Sequence, residues 1–357
     1  MQSLAGSSLR RALRPASQLI RRNAPRRTLS SPPIQKPGEI PNHKRVVTIT
    51  VAFLAGASFY FFLPDPTRAA PTLEKAPLSP RYFTPSTVVS NEETGPNTKL
   101  LRLSVPTEVI TASDPSGFQS IWSVFIKDDD IQVERPYTPL YGLDEHGHML
   151  FWIKKYPKGE VGRWLHTKTP GEKIEFRAPL STWNWKNDTW DEVVIISGGT
   201  GFAPFYQLFH SVISDPSISP ATQFTLLHSS RNPEELPPAS LLTSLNDFSE
   251  KHPERLKVNL FVDAADEDRS SSLHVKRIDR PSIESAAGLV KPVVPWWRKI
   301  WGHREPELPP KRRMFLVCGP EPMINAVAGP YGRNMSQGVV GGILAEMGIK
   351  SSEVYKL

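Results

Sequence analysis

Cysteine is almost absent: Cys318 is the only one in 357 residues. One thiol rules out an intrachain disulfide, a Cys-x-x-Cys redox pair and a Cys-x-x-Cys-His haem attachment site. The nine histidines show neither a His-Glu-x-x-His pattern nor spacing with a cysteine cluster, so no zinc site is expected. His146 and His148 flank Gly147 and read as a hairpin turn. Acidic residues are scarce in one place only. Residues 1–45 carry ten Lys or Arg and a single acid, Glu39, whereas the remainder carries 33 basic and 35 acidic residues. The net charge of +7 therefore belongs to the amino-terminal tail, and no nucleic-acid partner is expected for the rest.

Long uncharged runs are scarce as well, and the one of note is residues 46–63. As a helix its 18 residues span about 27 Å, close to the roughly 30 Å hydrocarbon core of a bilayer. Lys44 and Arg45 precede it, Tyr60, Phe61 and Phe62 give it an aromatic edge, and Pro64-Asp65-Pro66 ends it. It reads as a transmembrane helix, the alternative being a buried core helix. Upstream, residues 1–31 are rich in Arg, Ser and Ala and hold no acid, the composition of a mitochondrial transit peptide. A disordered basic arm on nucleic acid or anionic lipid is the other reading. The positive flank places the carboxy-terminal body in the intermembrane space, anchored in the inner membrane through a Pro-rich linker at 64–77.

What the body does contain is a set of ordered motifs. Val193-Val194-Ile195-Ile196-Ser197 is an uncharged β-branched run that reads as a buried parallel strand. It leads into Gly198-Gly199-Thr200-Gly201-Phe202-Ala203-Pro204, after which Phe205, Leu208, Phe209, Val212 and Ile213 recur at helical spacing. Strand, glycine turn and helix start form a cradle for a dinucleotide pyrophosphate: glycine lets the main chain approach the phosphates, and the helix N-terminus offers N–H groups. Such turns are common, so the motif is weak alone. The other two motifs are Arg135-Pro136-Tyr137-Thr138-Pro139-Leu140 and Cys318-Gly319-Pro320-Glu321-Pro322-Met323, the latter directly after a strand-like run from Arg313 to Val317.

In that order and spacing the three motifs resemble the ferredoxin-reductase-type flavoprotein superfamily, most of all its NADH-cytochrome b5 reductases, over about residues 78–357. The resemblance implies an α/β plus all-β fold: an antiparallel FAD-binding β-barrel at 78–185, then a parallel-sheet α/β NAD(P)-binding domain at 190–357. It implies that Arg135 holds an FAD phosphate, that Tyr137 lies on the isoalloxazine face with Pro136 beside it, and that Thr138 bonds near the hydride-accepting N5. Lys154 and Tyr156, in Ile153-Lys154-Lys155-Tyr156, are expected near the nicotinamide and the flavin.

Gly162, Arg163 and Trp164 stand where the family's pyrophosphate-binding Gly-Gly-x-Met-Ser loop runs. The loop here is shorter and Gly162 replaces the serine, so Arg163 is expected to supply a charge-assisted bond instead. Two more departures are Tyr141 in place of a serine and Ala203 in place of a threonine. By the same resemblance Gly198, Gly199, Thr200, Gly201 and Pro204 form the nucleotide turn, with Gly319, Pro320 and Met323 beside it. Cys318 is expected to pack at the nicotinamide. Thr138, Lys154 and Cys318 are thus the residues expected closest to the chemistry, which needs no protein nucleophile.

Ser230 and Arg231 suit a 2′-phosphate, and so NADPH; Asp263, Asp266, Glu267 and Asp268 after the next strand repel one and favour NADH. Residues 264–311 read as an insert in which Trp296, Trp297 and Trp301 interleave with Arg298 and Lys299. That pattern suits membrane lipid, or aromatics packed back on the domain.

The expected activity is electron transfer from NAD(P)H through FAD to a haem or haem-protein acceptor. The leader, the anchor and the tail from Gly341 to Leu357 resemble fungal mitochondrial flavoproteins that assist haem attachment to cytochrome c. That implies haem, and haem lyase or apocytochrome c, as partners. The alternatives are an NADH-cytochrome b5 reductase acting on cytochrome b5, and a flavin-bearing assembly factor that binds haem lyase.

Overall fold

The computed structural model describes residues 70–111, 113, 118, 120–129, 132–264, 273–289 and 311–357, with Val47, Thr50, Val51 and Phe53. The chain divides into a unit ending at Pro66 and a second beginning at Thr67. The expected transit peptide, most of the expected span at 46–63, and the tryptophans at 296, 297 and 301 lie outside the described residues. Val47, Thr50, Val51 and Phe53 are helical and exposed. Among the described residues no helix is long and apolar enough to cross a membrane.

The second unit holds two six-stranded sheets. The first contains β1 (Thr84–Gly95), β2 (Thr98–Ser104), β3 (Ile121–Lys127), β4 (Glu134–Tyr137), β5 (His148–Lys154) and β6 (Lys173–Trp183), in the order β4-β3-β6-β1-β2-β5. Every pairing in it is antiparallel. The sheet curls until its edges meet: just past β4, the amide of Leu140 donates to the carbonyl of Leu150 in β5 at 2.8 Å. The turn at Asp144–His148 feeds β5, with the Asp144 carboxylate accepting from the amides of His146 and His148. It is the expected hairpin turn: the amide of Asp144 donates to the carbonyl of His148 at 3.0 Å and that of Gly147 to the carbonyl of Asp144 at 3.0 Å, closing the ladder begun at Leu140 and Leu150. Helix α1 (Thr107–Thr111) follows β2, and α2 (Glu160–Thr167) follows β5.

β5 is buried on both faces, which explains why its sequence does not alternate in polarity. Met149, Phe151 and Ile153 enter the core of the first sheet, and Leu150 and Trp152 enter a core shared with the second. Ile121 and Leu140 join that shared core. Each such side chain contributes about 1.5–3 kcal/mol when fully buried, so the two sheets are joined by a hydrophobic seam.

The second sheet contains β7 (Glu192–Gly198), β8 (Gln223–Ser230), β9 (Leu256–Val262), β10 (Leu273–Val275), β11 (Arg313–Cys318) and β12 (Val354–Lys356). Its order is β10-β9-β8-β7-β11-β12, and all pairings are parallel. β7 is buried throughout: Val193–Ser197 is the uncharged, β-branched run, and the buried Glu192 at its start pairs with Arg313 at 2.7 Å. One face packs Val193, Ile195 and Leu316 against α3 (Ala203–Leu208) and α4 (Ala239–Lys251). The other packs Val194, Ile196, Phe315 and Val317 against α5 (Arg280–Ala286), α6 (Glu321–Ala328) and α7 (Gly342–Glu346).

Two expectations change. The helix expected from Phe205 to Ile213 is a 3-10 turn at Gly199–Phe202, then α3, then a π-helical turn at Phe209–Ile213. Its apolar positions are buried as anticipated. Of the expected insert at 264–311, the described residues 273–289 pack on the domain: β10 extends the sheet beside β9, and Ile283 and Ala287 enter the core. A three-residue strand is too short to show a period in sequence.

Candidate functional site

The chain order reverses at β7, with β8 on one side and β11 on the other. In parallel sheets the crevice beyond the carboxyl ends of such strands is where ligands bind. Here it opens into a cavity of about 800 Å³ that the first sheet shares. Arg135, Pro136, Tyr137, Thr138, Lys154, Tyr156 and Gly162 line it from one side, and Gly198, Thr200, Gly201, Pro204, Cys318, Gly319 and Pro320 from the other. Gly199, Arg163, Trp164, Ser230, Arg231 and Met323 are not among the lining residues.

The main-chain turn after β7 requires glycine for two separate reasons. Gly199 has φ +52°, a left-handed conformation that strains side-chain-bearing residues. A Cβ on Gly201 would collide with the carbonyl of Cys318, so only glycine lets the two turns touch. Met323 packs behind them: a Cβ on Gly198 would lie 2.6 Å from its Sδ.

Beneath the turn, His228 on β8 places Nδ1 2.8 Å from the Ser197 hydroxyl and Nε2 3.4 Å from that of Ser230. Burial pushes the imidazole down to about 3, so it is neutral at physiological pH. Ser230 donates to the carbonyl of Glu235 at 3.0 Å, so its hydroxyl is already engaged. Arg231 is exposed. Asp263 lies within 3.4 Å of the exposed Arg277 guanidinium, while 266–268 are outside the described residues.

On the other wall, β4 runs beside β3 and β3 beside β6. That register lines up three hydroxyls facing the cavity. Ser123 lies 3.4 Å from Thr138 and 3.1 Å from Thr182. The phenol of Tyr355, on β12, donates to the carbonyl of Thr182 at 2.8 Å and ties the two sheets together. Burial raises the Tyr137 phenol well above its ordinary value, so it remains a neutral donor. Tyr156 is 44 % exposed at the rim. Arg135 is exposed and donates to the carbonyl of Glu134 at 2.8 Å; among the described residues no carboxylate pairs with it. Lys154 does have one: its Nζ lies 2.6 Å from Oε2 of Glu235.

The start of α2 has no side-chain cap, since Gly159 precedes it. The amides of 160–162 therefore have no intrahelical acceptor, and Gly159, Glu160, Val161 and Gly162 all line the cavity. Arg163 points elsewhere, folding back to the Gly159 carbonyl at 3.3 Å, and is exposed because it lies past the first turn. Trp164 packs against the first core with the Lys168 ammonium 4.4 Å above its ring.

Burial pushes the Cys318 thiol up to about 12, so it sits in the wall as an un-ionised thiol. Trp152 also lines the cavity, edge-on to Phe202 at 6.1 Å, and its indole N–H is buried with no partner among the described residues. Ser123, Thr182, Trp152 and Glu235 are not identifiable from motifs. A serine and a threonine inside apolar strands are the only sequence signal for the first two.

These residues fit a flavin dinucleotide on the first wall. Open helix amides and an unpaired arginine suit its pyrophosphate, a neutral aromatic and a row of hydroxyls suit its ring system, and the cavity is of dinucleotide scale. The glycine turn at the switch point suits a second dinucleotide.

Comparison with known proteins agrees. Residues 85–185 match the family described as an oxidoreductase FAD-binding domain, and residues 195–329 the family described as an oxidoreductase NAD-binding domain. The chain is 28% identical over 272 residues to NADH-cytochrome b5 reductase 2 of Scheffersomyces stipitis, covering 75% of this chain and 81% of that protein. It is 32% identical over 232 residues to NADH-cytochrome b5 reductase 2 of Mycosarcoma maydis, covering 65% and 59%. The fold is similar to the cytochrome b5 reductase domain of Ulva prolifera nitrate reductase, with a TM-score of 0.57, 20% identity and coverage of 79% and 100%. With an FAD-binding module followed by an NAD-binding module around one shared cavity, the chain belongs to the ferredoxin-reductase-type flavoprotein superfamily and is an NAD(P)H-dependent FAD oxidoreductase.

Proposed function

We propose that this oxidoreductase is anchored in the mitochondrial inner membrane and passes electrons from NADH to a haem or haem-protein acceptor in support of cytochrome c haem attachment. The observation that carries the redox part is the single cavity lined by Arg135, Tyr137 and Thr138 on one wall and Gly201, Pro204 and Cys318 on the other. The location rests on the Arg-rich, acid-poor leader and the uncharged run at 46–63. FAD, when bound, supplies the ability to take two electrons as hydride and release them one at a time.

The protein's own residues bind and orient. Arg135 and the open amides of 160–162 hold the dinucleotide phosphates. Thr138, kept in place by Ser123, offers a hydroxyl at the ring. The touching turns at Gly201 and Cys318 form the part of the wall that would receive the nicotinamide. The un-ionised Cys318 leaves no competing nucleophile in the wall.

NADH is favoured because the Ser230 hydroxyl is engaged by Glu235 and a carboxylate, Asp263, follows β9. A second reading, an NADH-cytochrome b5 reductase, is favoured by the names of the relatives in Scheffersomyces stipitis and Mycosarcoma maydis. Stopped-flow reduction of the FAD-loaded protein by NADH and by NADPH, followed by reoxidation with candidate acceptors, separates the two. Saturable reoxidation by cytochrome b5 selects the second reading. Preference for haem bound to its lyase or to apocytochrome c selects the first. A role that persists in variants unable to bind flavin selects an assembly factor instead.

A further inference from the structure

Lys154 closes β5 of the first sheet, and Glu235 closes the short turn Pro233–Glu235 that follows β8 of the second. Their side chains meet at 2.6 Å across the crevice, and each is only 14 % exposed. Two further contacts hold the acidic partner. The Ser230 hydroxyl donates to the Glu235 main-chain carbonyl at 3.0 Å, and Ser230 in turn adjoins the buried His228 that supports the glycine turn. The β1–β2 turn presses on the same segment, since a Cβ on Gly95 would lie 2.7 Å from the carbonyl of Glu234. The main chain at Glu234 and Glu235 is therefore held on both sides. Lys154 is a flexible four-carbon stem with a point charge, and its ammonium takes a position only where a partner defines one. Lys154 lines the cavity and Glu235 does not.

We propose that Glu235 is a positioning residue that holds the Lys154 ammonium at the crevice, so that an incoming pyridine dinucleotide meets a fixed cation. This inference rests on the reading of the cavity as a nicotinamide site. It adds a residue from the second module that acts only through a lysine of the first. Because the pair bridges the two modules, it also couples the width of the crevice to the lysine's position.

The test is a double-mutant cycle on the FAD-loaded full chain with Glu235→Gln, Lys154→Met and the double variant. NAD⁺ affinity is measured by isothermal titration, KM and kcat for NADH are measured with ferricyanide, and thermal unfolding and flavin content report on folding. The proposal expects Glu235→Gln to weaken NAD⁺ and raise KM about three- to ten-fold, with a smaller change in kcat. In the Lys154→Met background the same substitution changes neither, and Glu235→Asp restores part of the loss. Unchanged or tighter NAD⁺ binding in Glu235→Gln overturns the proposal, as does an equal effect in both backgrounds. Wild-type protein that binds flavin but no NAD⁺ overturns the site itself and this inference with it.

Discussion

Nδ1 of His228 lies 2.8 Å from the hydroxyl of Ser197, where neither side chain reaches solvent. The pair sits beneath the glycine turn, with the ring of Phe202 5.3 Å from the imidazole. A buried neutral imidazole linked to the last residue before Gly198 makes the cradle part of the core.

That burial makes stability depend on pH. The folded-state value is held down to about 3, below the ordinary 6.5, so as the pH falls the unfolded chain takes up this proton first. Stability is complete above about 6.5 and declines toward about 3, with a slope from this one group of at most about 1.4 kcal/mol per pH unit. His166 and His210 are shifted in the same direction by burial, so they add to the trend. Denaturant unfolding between pH 7 and 4 should show a shallower decline in His228→Gln than in the wild type. An identical slope in both contradicts a buried neutral His228.

Gly201→Ala places a methyl group against the carbonyl of Cys318 and must part the two turns. Affinity for NAD⁺ should fall more than about ten-fold while bound flavin is retained, because the flavin wall is built by the other sheet. Titration calorimetry and the flavin-to-protein absorbance ratio check both halves. Wild-type affinity for NAD⁺ contradicts the placement of the nucleotide.

Arg135→Ala removes the exposed guanidinium on the flavin wall. Loss of a charge-assisted bond to a phosphate should weaken flavin retention about ten-fold or more. Fluorescence of flavin released on dilution measures it. Full retention assigns the phosphate to other groups.

Cys318 should be chemically quiet. With its thiol pushed up to about 12, only about 10⁻⁴ of it is ionised at pH 8. A thiol-specific disulfide reagent should label the native protein slowly and the unfolded protein at once. Cys318→Ala should leave NADH oxidation within a few-fold of wild type. Immediate labelling of the folded chain contradicts an un-ionised thiol in the cavity wall.

The parallel sheet is legible in the sequence because β7, β8 and β11 are runs with little charge, and burial on both faces forces that composition. The motif residues at 135–138, 198–204 and 318–320 are legible because phosphate approach and turn contact restrict residue choice. The hydroxyl row of Thr138, Ser123 and Thr182 is not, since antiparallel register brings it together from three strands. Lys154 and Glu235 are 81 residues apart, and two adjacent glutamates in a Pro-rich turn carry no sign of which one meets the lysine. Arg163, a cation beside a glycine in sequence, is exposed on α2 with its Nε donating to the Gly159 carbonyl at 3.3 Å, a placement that its neighbours in sequence do not reveal.

If one cavity brings a flavin and a pyridine nucleotide together, anaerobic titration of the purified, FAD-reconstituted chain with NADH reveals it. The protein should be yellow, and its flavin absorption should bleach in proportion to added NADH, up to one equivalent per flavin. A folded protein that takes up no flavin, or one whose bound flavin stays oxidised under excess NADH and NADPH, contradicts it.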